Sequence, residues 1–459
     1  MKRFAEVYLR EWMSRKGRKP LIIRGARQTG KTYLVEKFAQ KHFEHLVKVD
    51  FELDIEVKDI FENRDPLLIS NELSLFFGRD IRSGKTLLFL DEIQACPKAI
   101  LSLRYFYEKM PELHVIAAGS LLDFALRDFQ YSMPVGRIEF LYLFPLSFQE
   151  FLLAVNPRLC DFITNWTLDV QIPESIHKKL MELLRNFFFT GGMPEAVASW
   201  VEETNFVEVQ RIQSALLATM QNDFAKYGTR IKHDILQKIF FFVPRNMGKK
   251  VKYVHVDRGI RSQVLKEGFR LLEMSRIVHP VYKTDANGVP LEAEKKTNVF
   301  KTIFLDIGLV NRICGLKLIH PEELITVYEG GLAEQFAGQE LFASGPGFER
   351  PGLYYWMREE KNANAEVDYV LTHGTRVVPV EVKSGKTGTL KSLHVFLYEK
   401  GLHSGVRLNM DRPSVGELQT QVRLKKRSDT LNYTLISLPL YLAGRLDSIL
   451  ENFFRVRGG

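Results

Sequence analysis

Gly25-Ala26-Arg27-Gln28-Thr29-Gly30-Lys31-Thr32 has the residue types and spacing of a phosphate-cradling loop. Gly25 and Gly30 let the backbone curl so that its N–H groups converge on an anion. Lys31 then reaches the β- and γ-phosphates of a nucleoside triphosphate, and the Thr32 hydroxyl ligates Mg²⁺. Two further G-K-T triplets, Gly84-Lys85-Thr86 and Gly385-Lys386-Thr387, lack the earlier glycine, with Arg79 and Val380 in its place. They are set aside.

The flanking residues supply the elements that such a loop needs. Pro20-Leu21-Ile22-Ile23 reads as a short buried strand, and Leu34, Val35, Phe38 and Ala39 recur at helical spacing after the loop. A helix starting behind the glycines adds its N-terminal dipole to the anion site. Leu87 to Leu90 form a second buried strand that ends in Asp91-Glu92. Asp91 is expected in the Mg²⁺ shell and Glu92 beside the attacking water, because hydrolysis needs an acceptor near the γ-phosphate. A third strand, His114 to Gly119, ends at Ser120, placed to sense the γ-phosphate. Together these residues point to ATP as ligand and to its hydrolysis. A small-molecule kinase fits less well, because the Asp-Glu strand end and the long C-terminal extension do not suit one.

A second constellation lies near the other end of the chain. Glu334 sits in a helical stretch, Asp368 in the alternating run A-E-V-D-Y-V-L, and Glu381-Val382-Lys383 in another strand. Residues i and i+2 of a strand face one side, so Glu381 and Lys383 project together while Val380 and Val382 enter the core. Carboxylates with a lysine in this order hold Mg²⁺ and steady a water for phosphodiester hydrolysis. Glu366 joins them only if it shares the face of Asp368.

Between the two, Arg245 to Lys252 is a basic run, followed by a helix with apolar positions Ile260, Val264, Phe269, Leu271 and Leu272. Asn287-Gly288 marks a turn between two alternating stretches, hence a hairpin. Helices followed by a basic hairpin suggest a winged helix, with Arg258, Arg261, Lys266 and Arg270 facing DNA. A lid packed on the ATPase, its charges solvated, is the competing reading.

Several stretches resemble the AAA+-type ATPases of bacteria and archaea that carry a C-terminal domain of unknown function. They are Gly136-Arg137 with Pro145-Leu146-Ser147-Phe148-Gln149-Glu150-Phe151, T-G-G-M-P-E-A-V at 190–197, K-T-I-F-L-D-I-G-L at 301–309, and the E-V-D-Y-V and V-E-V-K-S-G segments. The resemblance implies that Arg137 is a γ-phosphate sensor or arginine finger. The Glu334, Asp368, Glu381 and Lys383 set is similar to the PD-(D/E)XK nuclease core. The expected architecture is α/β: a P-loop AAA+-like parallel-sheet domain over 1–200, a winged-helix module over 201–315, and a restriction-endonuclease-like domain over 316–459. The implied function is ATP hydrolysis coupled to DNA binding or processing. The alternative is a regulatory ATP switch that binds a protein or nucleic-acid partner and cleaves nothing.

Composition agrees with this outline. A formal net charge of +9 and a pI near 9.2 favour anionic partners. Cys96, Cys160 and Cys314 are scattered, which argues against a disulfide framework or a structural zinc site. Lys425-Lys426-Arg427 reads as a solvated loop. Early charges in M-K-R-F-A-E-V-Y-L-R-E-W leave no signal-peptide core, and no long uncharged apolar run suggests a membrane span, so a cytoplasmic protein is expected. Relatives of this kind often form rings, and self-association or a protein partner is compatible with the sequence.

Overall fold

Uninterrupted apolar runs build the sheet that carries the phosphate loop. β1 (Leu21–Arg24), β2 (His45–Asp50), β3 (Thr86–Asp91), β4 (His114–Gly119) and β5 (Glu139–Tyr142) are all parallel, in the order β2-β3-β4-β1-β5. Helices cover both faces, as a parallel sheet requires. On one face Leu21, Ile23, Leu87, Phe89, Ile116 and Ala118 pack under α1 (Ala5–Ser14) and α2 (Lys31–His42) through Leu9, Trp12, Leu34, Val35 and Phe38. On the other, Ile22, Leu88, Leu90, Val115 and Ala117 meet α3 (Pro66–Phe77) and α4 (Pro97–Lys109) through Ile69, Leu73, Leu103 and Phe106. Each such side chain removed from water is worth ~1.5–3 kcal/mol. Asp65 caps α3 by accepting from the Leu67 N–H, and Pro66 sits where a helix needs no donor.

The computed structural model describes residues 1–120, 122–123, 136–224, 230–315, 329–358, 365–384, 389–423 and 428–457. The Gly385-Lys386-Thr387 triplet and Lys425-Lys426-Arg427 lie outside the described residues. Gly84-Lys85-Thr86 leads into β3 and not into a helix. Among the described residues no helix is long and apolar enough to cross a membrane.

The chain divides into two units. The first comprises Met1–Pro145, Met274–Ile277 and Gly345–Arg350; the second comprises Leu146–Glu273, Val278–Ser344 and Pro351–Gly459. The borders expected at 200/201 and 315/316 therefore both fall inside the second unit. The reason is an aromatic core that joins distant segments. Phe187 lies 5.7 Å from Phe148, 5.3 Å from Phe151 and 6.0 Å from Phe336, ring centre to ring centre.

Three of the motifs that carry the family resemblance meet in this unit. The Leu146 N–H donates to the Gly192 carbonyl at 2.7 Å. The Gly192 N–H in turn donates to Asp306 Oδ2 at 2.6 Å. A Cβ at Gly192 would lie 2.0 Å from the Leu146 carbonyl oxygen, and one at Gly308 would lie 2.6 Å from that of Thr190. Ser147 and Glu150 form a capping box at the helix Phe148–Val155. These motifs fix the packing of the second unit.

The second unit contains an eight-stranded mixed sheet, ordered β12-β13-β11-β10-β9-β8-β6-β7. Its strands are β6 (Val278–Thr284), β7 (Lys295–Phe304), β8 (Leu353–Met357), β9 (Glu366–His373), β10 (Arg376–Val382), β11 (Ser404–Asn409), β12 (Ser414–Arg423) and β13 (Ser428–Pro439). The expected hairpin is present as β6–β7, but β6 also pairs in parallel with β8, so the hairpin is part of the large sheet. Its connection is longer than Asn287-Gly288 alone: pairing stops at Thr284↔Lys295, and a short 3₁₀ turn, Leu291–Glu294, intervenes. Pro290 offers no N–H to a ladder there.

β7 is the outer strand of this sheet, and a helix side chain finishes its ladder. Gln335, on the helix Glu329–Ala343, accepts from the Phe304 N–H at 2.9 Å and donates to the Phe304 carbonyl at 2.8 Å. Gln339 accepts from the Ile307 N–H at 2.8 Å.

Candidate functional site

Parallel strands put all their C-terminal ends on one edge, and there the loop after β1 meets the tips of β3 and β4. Gly25 is required by space: a Cβ would lie 2.3 Å from the Leu143 carbonyl oxygen. Gly30 is required by conformation, with φ at +87° just before α2 begins. Gln28 also takes a positive φ, +63°. Thr29 is buried and donates from Oγ1 to the Ala26 carbonyl at 2.9 Å, which stiffens the loop. Arg3 braces it from outside: its guanidinium donates to the Thr29 carbonyl at 2.9 Å and to the Phe144 carbonyl at 2.7 Å. Arg27 lies 3.5 Å from Glu52.

Lys31 opens α2, and its ammonium folds over the loop, donating to the carbonyls of Gly25 (3.1 Å) and Ala26 (2.8 Å). Burial lowers its pKa to about 8, against the pull of Glu92 and Asp91. Thr32 Oγ1 donates to Asp91 Oδ2 at 2.8 Å. Lys48 approaches the same oxygen at 3.7 Å. Burial raises the Asp91 pKa, and the Thr32 hydrogen bond opposes the rise. Glu92 follows with φ at +47°, its N–H donating to Asp91 Oδ1 at 3.1 Å, and its carboxylate accepts from Gln94. Ser120 Oγ is buried beyond the tip of β4 with no hydrogen-bond partner among the described residues. An unsatisfied buried hydroxyl beside a phosphate loop is a feature that a bound oxyanion would explain.

Arg137 does not join this group. It lies two residues before β5, whose first residue Glu139 is in register with Leu21 at the start of β1. Arg137 is therefore at the N-terminal edge of the sheet, opposite the loop. Its side chain is exposed and pairs with Glu108 near the end of α4 at 3.0 Å. The phosphate-sensing role within its own chain is corrected on this geometry. The arginines at the loop's edge are different ones: Arg24, which ends β1, and Arg276 both bind Asp123, at 2.9 and 2.8 Å. Neither was found from sequence, because only the fold brings Asp123 and Arg276 to the end of β1.

The family described as an AAA domain matches residues 17–152. The AAA match spans β1 to β5, the glycine loop, Asp91, Glu92 and Ser120. Residues 181–319 and 329–426 match two families described as domains of unknown function, DUF8612 and DUF4143. No curated protein matches the chain. Among solved structures, the chain is similar to the Walker-type ATPase of Pyrococcus abyssi at 15% identity, covering 68% of this chain and 95% of that one, with a TM-score of 0.43. It is similar to the ORC2 protein of Aeropyrum pernix at 13% identity, covering 70% and 92%, with a TM-score of 0.32. For DnaA from Aquifex aeolicus the values are 15%, 59%, 87% and 0.27.

Outside the AAA match, the second constellation also comes together. Glu381 and Lys383 project to one side, with Lys383 Nζ 2.6 Å from Glu381 Oε1. Asp368 Oδ2 accepts from the Val382 N–H at 2.8 Å. An unforeseen residue occupies the middle. Lys301, on β7 and 2% exposed, lies 2.8 Å from Glu334, 3.8 Å from Asp368, and in close contact with Glu366. Glu366 thus shares the face of Asp368. Burial raises the carboxyl pKa of Glu334, and Lys301 works against the rise. Burial also raises that of Glu381, as does Asp368, against the pull of Lys383. The sequence did hold a signal for Lys301: it is the one charge in the run Phe300 to Phe304, all of it buried. A further acidic residue of the Glu329–Ala343 helix, Glu340, faces elsewhere and accepts from the Phe148 N–H at 2.9 Å.

The four basic residues of the middle segment expected to face DNA are exposed. Arg261, Lys266 and Arg270 stand on or beside the helix Ser262–Met274, whose other face buries Leu265, Phe269 and Leu272. Arg258 is exposed ahead of it. Gly268 allows the close approach of Ile239 from the helix Arg230–Arg245; a Cβ there would lie 2.5 Å from Ile239 Cδ1.

Proposed function

We propose that this chain hydrolyses ATP to ADP and phosphate at the Gly25–Thr32 loop and that hydrolysis is coupled to DNA binding by the second unit. The observation that carries the first half is the meeting of Thr32 and Asp91, 2.8 Å apart, beside a glycine loop and an unsatisfied Ser120 hydroxyl. The AAA match over the same residues supports it. Backbone N–H groups from Ala26 to Thr32 receive the phosphates, and Lys31 exchanges its loop carbonyls for phosphate oxygens. Thr32 and Asp91 suit Mg²⁺, which supplies charge neutralisation at the phosphates when bound. Glu92 accepts the proton of the attacking water, held in place by its hydrogen bond from Gln94. Ser120 donates to a γ-phosphate oxygen.

DNA binding rests on Arg258, Arg261, Lys266 and Arg270, on a helix pair followed by the β6–β7 hairpin, read as a winged helix over 201–315. The restriction-endonuclease-like reading of 316–459 rests on Glu334, Asp368, Glu381 and Lys383. A second reading, an ATP switch that binds a partner and cleaves nothing, gains from one observation: Lys301 lies among those carboxylates.

ATP turnover by wild type and Lys31→Ala, each with and without duplex DNA, tests the proposal. Turnover should be lost in Lys31→Ala and raised by DNA in the wild type. Wild-type turnover in a folded Lys31→Ala protein would sink the ATPase assignment. Absence of both DNA binding and DNA stimulation at low salt would sink the coupling alone.

A further inference from the structure

The PD-(D/E)XK-like set raises a chemical question that its geometry answers. Four carboxylates, Glu334, Glu366, Asp368 and Glu381, face one region of the second unit, with two lysines among them. A catalytic metal there would need hard oxygen ligands, about six for Mg²⁺ at ~2.0–2.1 Å. Five of the eight carboxylate oxygens are already committed. Lys301 Nζ takes Glu334 Oε1, Glu366 Oε1 and, more distantly, Asp368 Oδ1. The Val382 N–H takes Asp368 Oδ2 and Lys383 takes Glu381 Oε1. Of the remaining three, Glu381 Oε2 is buried without a partner among the described residues. Among the described residues no three acidic, histidine or cysteine groups are arranged to hold a metal ion.

Lys301 is suited to this place. An ammonium carries three donors and can serve three carboxylates at once. The face of the Tyr355 ring lies 5.1 Å from its nitrogen and adds a further favourable contact. The side chain is 2% exposed, so its charge is held by these partners and not by water. A dication sharing the same oxygens would repel this ammonium, which at 2% exposure is little screened by water.

We infer that Lys301 is the resident cation of this cluster, so that the nuclease-like unit binds no catalytic metal and does not cut DNA by a metal-dependent route. The ammonium neutralises the carboxylates that in a nuclease would ligate the ion. It also comes from β7, which ties the β6–β7 hairpin to β9 and β10 through charge as well as through the backbone ladder. The inference rests on the nuclease-like reading of the second unit and is independent of ATP hydrolysis.

The test is Mn²⁺ titration of the nucleotide-free full chain, followed by calorimetry and by the electron paramagnetic resonance of free Mn²⁺. Wild type, Asp368→Asn, Glu366→Gln and Lys301→Gln are compared, each checked for folding by circular dichroism. Any Mn²⁺ held near Thr32 and Asp91 is common to all four and cancels. Wild type, Asp368→Asn and Glu366→Gln should give the same isotherm, and Lys301→Gln should gain one site that a second Asp368→Asn change removes. Plasmid DNA should stay uncut by wild type in Mg²⁺ or Mn²⁺. A wild-type Mn²⁺ site lost in Asp368→Asn or Glu366→Gln, or cutting that Lys383→Ala abolishes, overturns the inference. So does a folded Lys301→Gln that gains no site. If Lys301→Gln does not fold, the wild-type comparison and the plasmid assay decide alone. Fluorescence anisotropy with duplex DNA on the same samples keeps the two claims apart, since loss of DNA binding bears on the proposed coupling and leaves the metal result standing.

Discussion

Arg3 offers a direct perturbation of the phosphate loop, because it holds the loop's outer side through the Thr29 carbonyl. Its guanidinium spans two carbonyls, Thr29 at 2.9 Å and Phe144 at 2.7 Å. A hydrogen bond from a charged donor is worth ~1.5–3 kcal/mol. Arg3→Ala removes both bonds and leaves the buried Thr29 carbonyl to find water. If the loop feels about 1.4 kcal/mol of that loss as freedom it must surrender on binding, ATP affinity falls about tenfold. Arg3→Lys keeps the charge but not the fork, so one carbonyl is served at a time, and the loss should be intermediate. Equilibrium titration with a fluorescent ATP analogue gives the affinity, and steady-state turnover separates KM from kcat. KM should rise more than kcat falls, because the bracing is needed to form the site and not to break the bond. An Arg3→Ala protein that is folded and binds nucleotide as tightly as wild type would refute the bracing argument.

The other expectations can be tested with the same preparations. Glu92→Gln should cut ATP turnover by ~10²–10⁴-fold, the usual worth of a general base, while nucleotide binding persists in the same titration. Arg137→Ala should leave turnover unchanged, since Arg137 sits at the far edge of the sheet; a collapse of turnover would restore it to the mechanism. Glu340 is fully enclosed, and burial raises its pKa from 4.5 to about 8. A raised carboxyl favours the folded state below its unfolded pKa, and that contribution is lost as pH climbs through the folded value. Chemical denaturation should thus show wild type losing about 3 kcal/mol relative to Glu340→Gln between pH 5 and pH 8, taking 1.36 kcal/mol per pKa unit. Parallel pH profiles for the two proteins would show that Glu340 does not titrate there.

Local features were the most legible. The phosphate loop is contiguous, so its residue types and order were enough, and Asp91, Glu92 and Ser120 were legible because each ends a buried strand whose tip a parallel sheet must place beside the loop. The place of Arg137 was not legible, because its sequence neighbourhood says nothing about which edge of the sheet it occupies; the register of β5 against β1 decides that. That the borders at 200 and 315 lie inside one compact unit was not legible for a similar reason. Phe148, Phe187 and Phe336 are too far apart in sequence for any pattern to join them, and the link between Leu146, Gly192 and Asp306 is equally long-range. The pairing of Glu381 with Lys383 followed from strand alternation alone. Lys301 did not, since a buried lysine has meaning only once its three carboxylate neighbours are known.

Gln335 has a consequence for what the large sheet can join. A primary carboxamide is a peptide group cut short, with one donor and one acceptor side by side. By meeting both the N–H and the carbonyl of Phe304, it acts as a strand one residue long. An outer strand normally advertises its unpaired groups to other chains, and templated pairing is the usual hazard. At Phe304 that invitation is withdrawn by a helix, and just past the strand Gln339 takes the Ile307 N–H alone. A glutamate at 335 would keep the acceptor and lose the donor, leaving the Phe304 carbonyl open to a neighbour. The glutamine is therefore a seal on the outer strand at Phe304.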